Sequence, residues 1–162
     1  MYLIIKRRVA DNAISVIPEA ECQNGSLVLL GGYAAKTIGG VDVAGEALEG
    51  KALTDAVGNQ YAVVAPDVTA DQRYSLQGKT DDDLKVLAGE STRAYINHAG
   101  FVVKAEKALI DVEVVEGDLL APKAGTQGYT KYVDGTNKNA IARVLKTGVK
   151  HMGRDMVEII FL

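Results

Sequence analysis

Residues 112–122 read Val112-Glu113-Val114-Val115-Glu116-Gly117-Asp118-Leu119-Leu120-Ala121-Pro122. Apolar residues alternate with polar ones up to Gly117-Asp118, and a second apolar run begins at once. The pattern predicts two β-strands meeting at a tight turn. Comparable runs recur along the whole chain, and no recognisable catalytic or metal-binding set accompanies them. The residues by themselves specify a β-rich domain and no activity.

The chain has 162 residues, enough for one domain to bury a sizeable core without disulfides or metals. Seventeen glycines against three prolines, no Trp and nine Tyr plus Phe mean many turns and a core of Val, Ile, Leu and Ala. That composition favours short strands over long helices. Lys plus Arg number 18 against 21 Asp plus Glu; the net charge of -3 argues against general nucleic-acid binding and against a polybasic membrane surface. Cys22 is the only cysteine, so an intrachain disulfide and a Cys-cluster zinc site are excluded. A lone thiol reads as a small buried residue before it reads as a nucleophile. The apolar run at residues 2–5 precedes Lys6-Arg7-Arg8, the reverse of a secretory leader, and no window approaches the roughly 20 apolar residues of a membrane span. The expectation is synthesis in a cytoplasm and no membrane partner.

Residues 1–20 read as an extended N-terminal arm leading into a first strand at residues 13–17, and residues 21–162 as a single β-rich domain. Asn24-Gly25 is a turn, and residues 26–30 form a strand of the continuous apolar kind expected when both faces are covered. Gly31-Gly32 is expected to interrupt it. With glycine at 39, 40, 45 and 50, residues 37–51 read as a long surface loop holding at most a short strand at 41–43. Residues 57–60 form a turn feeding a strand at 61–65, which Pro66 closes. The Asp81-Asp82-Asp83 triplet predicts the start of a short helix over 82–87. Residues 93–96 and 101–103 flank Asn97-His98-Ala99-Gly100 as a hairpin, and one helical turn is expected within 104–109. A glycine-rich stretch with tyrosines follows at 123–135, then strands near 140–146 and 156–162. Turn signals every eight to fifteen residues predict a mainly β fold, a β-barrel or β-sandwich with long loops and at most one or two short helices.

Catalysis would need a nucleophile with its base, a carboxylate pair in a pocket, or clustered metal ligands. His98 and His151 are the only histidines, and both read as solvated or turn residues. The aspartate triplet lacks the alternating spacing and glycine of a calcium loop. Neither Gly31-Gly32 nor Gly39-Gly40 belongs to a phosphate cradle.

Two resemblances deserve weight. Residues 115–125, from Val115 through Gly117-Asp118, Pro122 and Lys123 to Gly125, resemble the G-D-x-x-x-x-P-x-x-G strand of biotinyl and lipoyl carrier domains. Those domains place the modified lysine at the tip of a later hairpin, in a setting absent from this chain. A broader likeness emerges from Asn24-Gly25-Ser26-Leu27-Val28, from residues 89–96 with Arg93-Ala94-Tyr95, and from residues 115–119. In order and with the chain length, these resemble the capsid decoration, or cement and head-stabilisation, proteins of tailed bacteriophages.

The second resemblance implies a β body with no enzymatic activity and no cofactor. It implies attachment to the major capsid protein on the outer face of an assembled virion shell, as a homo-oligomer, a trimer being favoured. Under it, Tyr2, Ile4, Lys6, Arg7 and Arg8 of the arm, together with Tyr129 and Tyr132, are the expected partner contacts, since tyrosine gives contact area at low entropy cost. The arm reads equally as an ordinary first strand, and the tyrosine loop as plain solvent-facing loop. A phage tail or baseplate β-module binding protein or saccharide is the alternative.

Overall fold

The computed structural model describes residues 4–7, 13–38, 41–65, 85–151 and 153–162. Eleven strands make two sheets: β1 Ile4–Arg7, β2 Ala13–Pro18, β3 Leu27–Ile38, β4 Val41–Lys51, β5 Tyr61–Val64, β6 Thr92–Ile96, β7 Val102–Glu106, β8 Leu119–Pro122, β9 Tyr129–Lys131, β10 Ala142–His151 and β11 Arg154–Phe161. One sheet is open, in the order β1-β7-β11-β10-β8-β9; the other closes into a ring, β2-β4-β3-β5-β6. The helix among the described residues is a single 3-10 turn, Lys107–Leu109. The mainly β expectation holds, with two packed sheets of which one is closed on itself.

Alternation along two strands joins these sheets. In β3, Leu27 faces the large core with the open sheet while Val28 faces the ring interior; in β5, Tyr61 and Val63 face outward to that core while Ala62 and Val64 face inward. Successive side chains point to opposite faces. Both strands are therefore covered on both sides, which is why residues 27–30 and 61–64 are apolar without interruption. The ring interior is filled by Val16, Cys22, Val28, Ala62, Val64, Val86 and Ala94, small enough to pack inside five strands. Opposite the shared wall, Val103, Leu120, Val144, Val157, Ile159 and Phe161 complete the larger core. Phe101 stacks on Phe161 with ring centroids 5.8 Å apart.

Backbone groups seal the joint. Leu27 N–H donates to Gln127 O at 2.9 Å, Leu53 N–H to Thr126 O at 3.0 Å, and Gly125 N–H to Leu53 O at 2.9 Å. The buried Tyr129 hydroxyl donates to Gly25 O at 3.1 Å. On the far side Asp55 accepts from the Lys138 N–H at 2.6 Å and the Asn139 N–H at 3.2 Å. A loop of the open sheet is thereby stitched to the ring at two places.

Four expectations fail for stated reasons. Residues 112–115 are not a strand: Val114 is buried, but Val115 is 65% exposed, and β8 pairs instead with the distant β10 and β9. The turn itself is real. Gly117 has φ 92°, its N–H donates to Val144 O at 2.9 Å, and Asp118 N–H returns to Val115 O at 3.1 Å. The Asn97-His98-Ala99-Gly100 connection is a crossover between sheets, since β6 belongs to the ring and β7 to the open sheet. Gly31-Gly32 does not end β3, which runs on through a bulge whose register shifts fall between Leu30 and Tyr33 and between Tyr33 and Ala35. Finally, residues 41–51 are one continuous strand, β4, where a surface loop was expected. Its glycines serve close approach: a Cβ at Gly45 would collide with the carbonyl oxygen of Ala34 on the neighbouring strand. The helix expected over 82–87 falls largely outside the described residues; Val86 itself forms an antiparallel bridge with Cys22.

Gly25 combines two constraints. Its φ is +87°, and an added Cβ would lie 3.1 Å from Ala105 Cα in β7; Gly58 has the same φ with open space around it. Gly58→Ala is expected to cost about 1 kcal/mol through conformation alone, and Gly25→Ala about 2–3 kcal/mol through conformation plus crowding. Urea denaturation checks this, and equal losses would show that the ring and β7 are not in firm contact there.

Candidate functional site

A cleft of about 410 Å³ lies at the joint, between Glu21, Cys22 and Ser26 on the ring side and Asp111, Lys123 and Gln127 on the other. Its charges are already engaged. Lys85 pairs with Glu21 at 2.9 Å and Lys123 with Asp111 at 3.1 Å, so each wall is locally neutral. The hydroxyls are engaged too: Ser26 accepts from the Gln23 N–H at 3.0 Å, while Thr126 donates to Lys123 O at 2.8 Å. Cys22 supplies the thiol lining this cleft, and it is 1% exposed. Burial pushes its thiol up to about 12; a hydrogen bond with Ser26 pulls weakly the other way, and the Glu21 charge adds to the rise. A thiol that keeps its proton is a poor nucleophile.

Both histidines have structural settings. The His98 ring stacks on Phe101 with centroids 5.5 Å apart, and its Nδ1 lies 3.2 Å from Ile96 O. His151 ends β10 opposite Arg154. Among the described residues, no group of three or more His, Cys, Asp or Glu side chains is placed to hold a metal ion. No helix among them is long and apolar enough to cross a membrane.

Of the expected contact residues, Ile4, Lys6 and Arg7 stand in β1, the edge strand paired with β7 through Ile4↔Lys104, Ile5↔Val103 and Arg7↔Val102. Tyr2 and Arg8 lie outside the described residues, as does the aspartate triplet. Tyr129 is corrected: it is fully buried, with its hydroxyl spent on Gly25 and burial raising its ionisation, so it is a core residue. Tyr132, half-buried, carries its hydroxyl at the surface 3.4 Å from Asp134 Oδ1. The structure does not gather these residues into one site.

Sequence reasoning missed a larger feature. β3 pairs with β5 only at Leu27, Val28 and Leu29, and β4 pairs with β2 only at Leu48, Glu49 and Gly50. Beyond those positions β3 and β4 pair with each other alone, through Tyr33↔Leu48, Ala35↔Ala44 and Thr37↔Asp42 to Ile38↔Val41. Among the described residues this is a two-stranded ribbon projecting from the ring by roughly 20 Å at about 3.3 Å per residue. Tyr33 at its root is 66% exposed and Val41 at its tip 63% exposed. A signal was present in the sequence: Thr37-Ile38 and Val41 flank the Gly39-Gly40 dipeptide, the composition of a tight hairpin.

No protein-family model matches the chain, and no curated protein matches it in sequence. The molecule presents a two-stranded ribbon, an edge strand and exposed apolar side chains on a body whose cleft charges are self-paired.

The thiol yields a pH prediction with a definite sign. The unfolded chain releases the Cys22 proton near 9, whereas the folded chain holds it to about 12. Stability from this residue is complete below pH 9 and falls by up to about 1.4 kcal/mol per pH unit above it. Denaturation of the wild type and of Cys22→Ala between pH 8 and 10.5 should show the steeper alkaline loss in the wild type. Parallel curves would contradict the buried, protonated thiol.

Proposed function

We propose that this chain is a non-enzymatic virion protein that attaches to the outer surface of an assembled phage capsid and stabilises it, with the major capsid protein as partner. The observation that carries this reading is the β3–β4 ribbon. A two-stranded ribbon is marginal by itself in water and gains stability when a second surface covers it. Among the described residues no further strand pairs with the ribbon's outer edges, and an open sheet edge is the means by which another protein's strand is captured. Tyr33 and Val41 add apolar area beside those groups.

The partner class comes from the resemblance carried by Asn24-Gly25-Ser26-Leu27-Val28, Arg93-Ala94-Tyr95 and residues 115–119. A protein that binds assembled subunits better than separated ones shifts the equilibrium toward assembly by mass action. The reading extends to an oligomer, a trimer, seated where capsid subunits meet, so that several ribbons reach different subunits at once. Multivalent attachment then gains from effective concentration. The cleft at the joint supports the saccharide alternative less well, because its charges and hydroxyls are already committed to one another.

A ribbonless variant tests the proposal. Tyr33 and Leu48 are register partners, so replacing residues 34–47 with Asn-Gly closes a two-residue hairpin at the ring. Purified undecorated heads should carry the wild type to saturation in a sedimentation assay and bind the variant at least tenfold more weakly, while the variant keeps a cooperative thermal unfolding transition. Full occupancy by the folded variant would overturn the ribbon as the attachment element.

A further inference from the structure

The open sheet ends in a strand held by little. β1 has four residues, lies at the sheet edge, and among the described residues pairs only with β7, with a register shift between Ile5 and Arg7. β7 on its other side is bound through five consecutive pairs to β11, from Val102↔Ile160 to Glu106↔Met156. The next strand of the chain, β2, belongs to the ring, so the five residues 8–12 carry the chain from one sheet to the other. A short connection between an edge strand and the body is the arrangement that favours exchange between copies.

We propose that β1 is an exchangeable strand: the β7 edge of one copy accepts β1 of a second copy of this chain in the register its own β1 uses. The occupant follows from identity. Another copy's residues 4–7 reproduce the pairs to Lys104, Val103 and Val102 without loss, whereas an unrelated strand has to match the bulge as well. The competing species is the chain's own β1, present at an effective concentration on the order of millimolar. Exchange therefore grows with protein concentration, and it is strongest where copies are held side by side. Reciprocal donation closes a twofold dimer, and one-way donation closes a ring. This inference is independent of the capsid reading and concerns the chain with itself.

Single-cysteine donors and acceptors, made in the full-length chain with Cys22→Ala, give the test. Ile4→Cys copies are mixed with Lys104→Cys copies at about 1 mM, where their cysteines face each other only across an exchanged β1–β7 pair. Mild oxidation should give a covalent heterodimer on a non-reducing gel. Its yield should rise with concentration and exceed by at least fivefold that from Ile4→Cys mixed with Glu116→Cys, whose cysteine sits on an exposed turn. The Arg7→Cys and Val102→Cys pair repeats the measurement at a second register position, so that a folding defect in one variant cannot decide the result. Heterodimer at the control level in both pairs would overturn the proposal.

Discussion

Two strands, β5 and the first part of the long β3, bear on both cores of this molecule. Each turns one face into the ring and the other toward the open sheet, so Leu27 and Val28, or Val63 and Val64, are neighbours in sequence that stabilise different halves of the fold. Burying such side chains contributes on the order of 1.5–3 kcal/mol each. Because the wall is shared, neither half can lose it without the other losing its cover. The ring does not have to be stable alone, which suits an interior whose fully buried side chains, among the described residues, are valine, cysteine and alanine.

The same joint fixes the polar groups around it. The loop at residues 123–128 comes close enough to the ring to exchange backbone hydrogen bonds with Leu27 and Leu53, and the charged side chains lining the cleft there are paired within each wall. Cys22 is held by a backbone bridge to Val86 and by burial, which keeps the proton on its sulfur. What remains for a partner lies at the periphery, where strands outrun their neighbours. The adhesive role proposed for the chain draws on those ends.

The legible parts of the sequence were those governed by local chemistry. The uninterrupted apolar run at residues 26–30 announced a strand covered on both faces, residues 61–65 announced a strand, and Asn24-Gly25 and Gly117-Asp118 announced turns that the backbone takes with positive φ at glycine. Pairing partners were less legible. Residues 112–115 alternate as a strand would, yet only Leu119–Pro122 finds strands to bond with, and they come from elsewhere in the chain. Asn97-His98-Ala99-Gly100 has the composition of a hairpin and serves as a crossover, a difference fixed by sheet membership alone. Glycine misled in β4, because Gly45 is required where strands approach closely, and composition does not separate that from a loop. Tyr129 misled for a related reason: its hydroxyl suggested the surface, while Gly25 O supplies a buried acceptor from 104 residues away.

Native-state hydrogen exchange reports on the shared wall residue by residue. Amides of Val63 in the ring and of Val103 and Ile159 in the open sheet should exchange with one common free energy, equal to that of global unfolding, while ribbon amides beyond Tyr33 exchange far faster. Two separate protection levels, one for the ring and one for the open sheet, would contradict a wall that makes them a single cooperative unit.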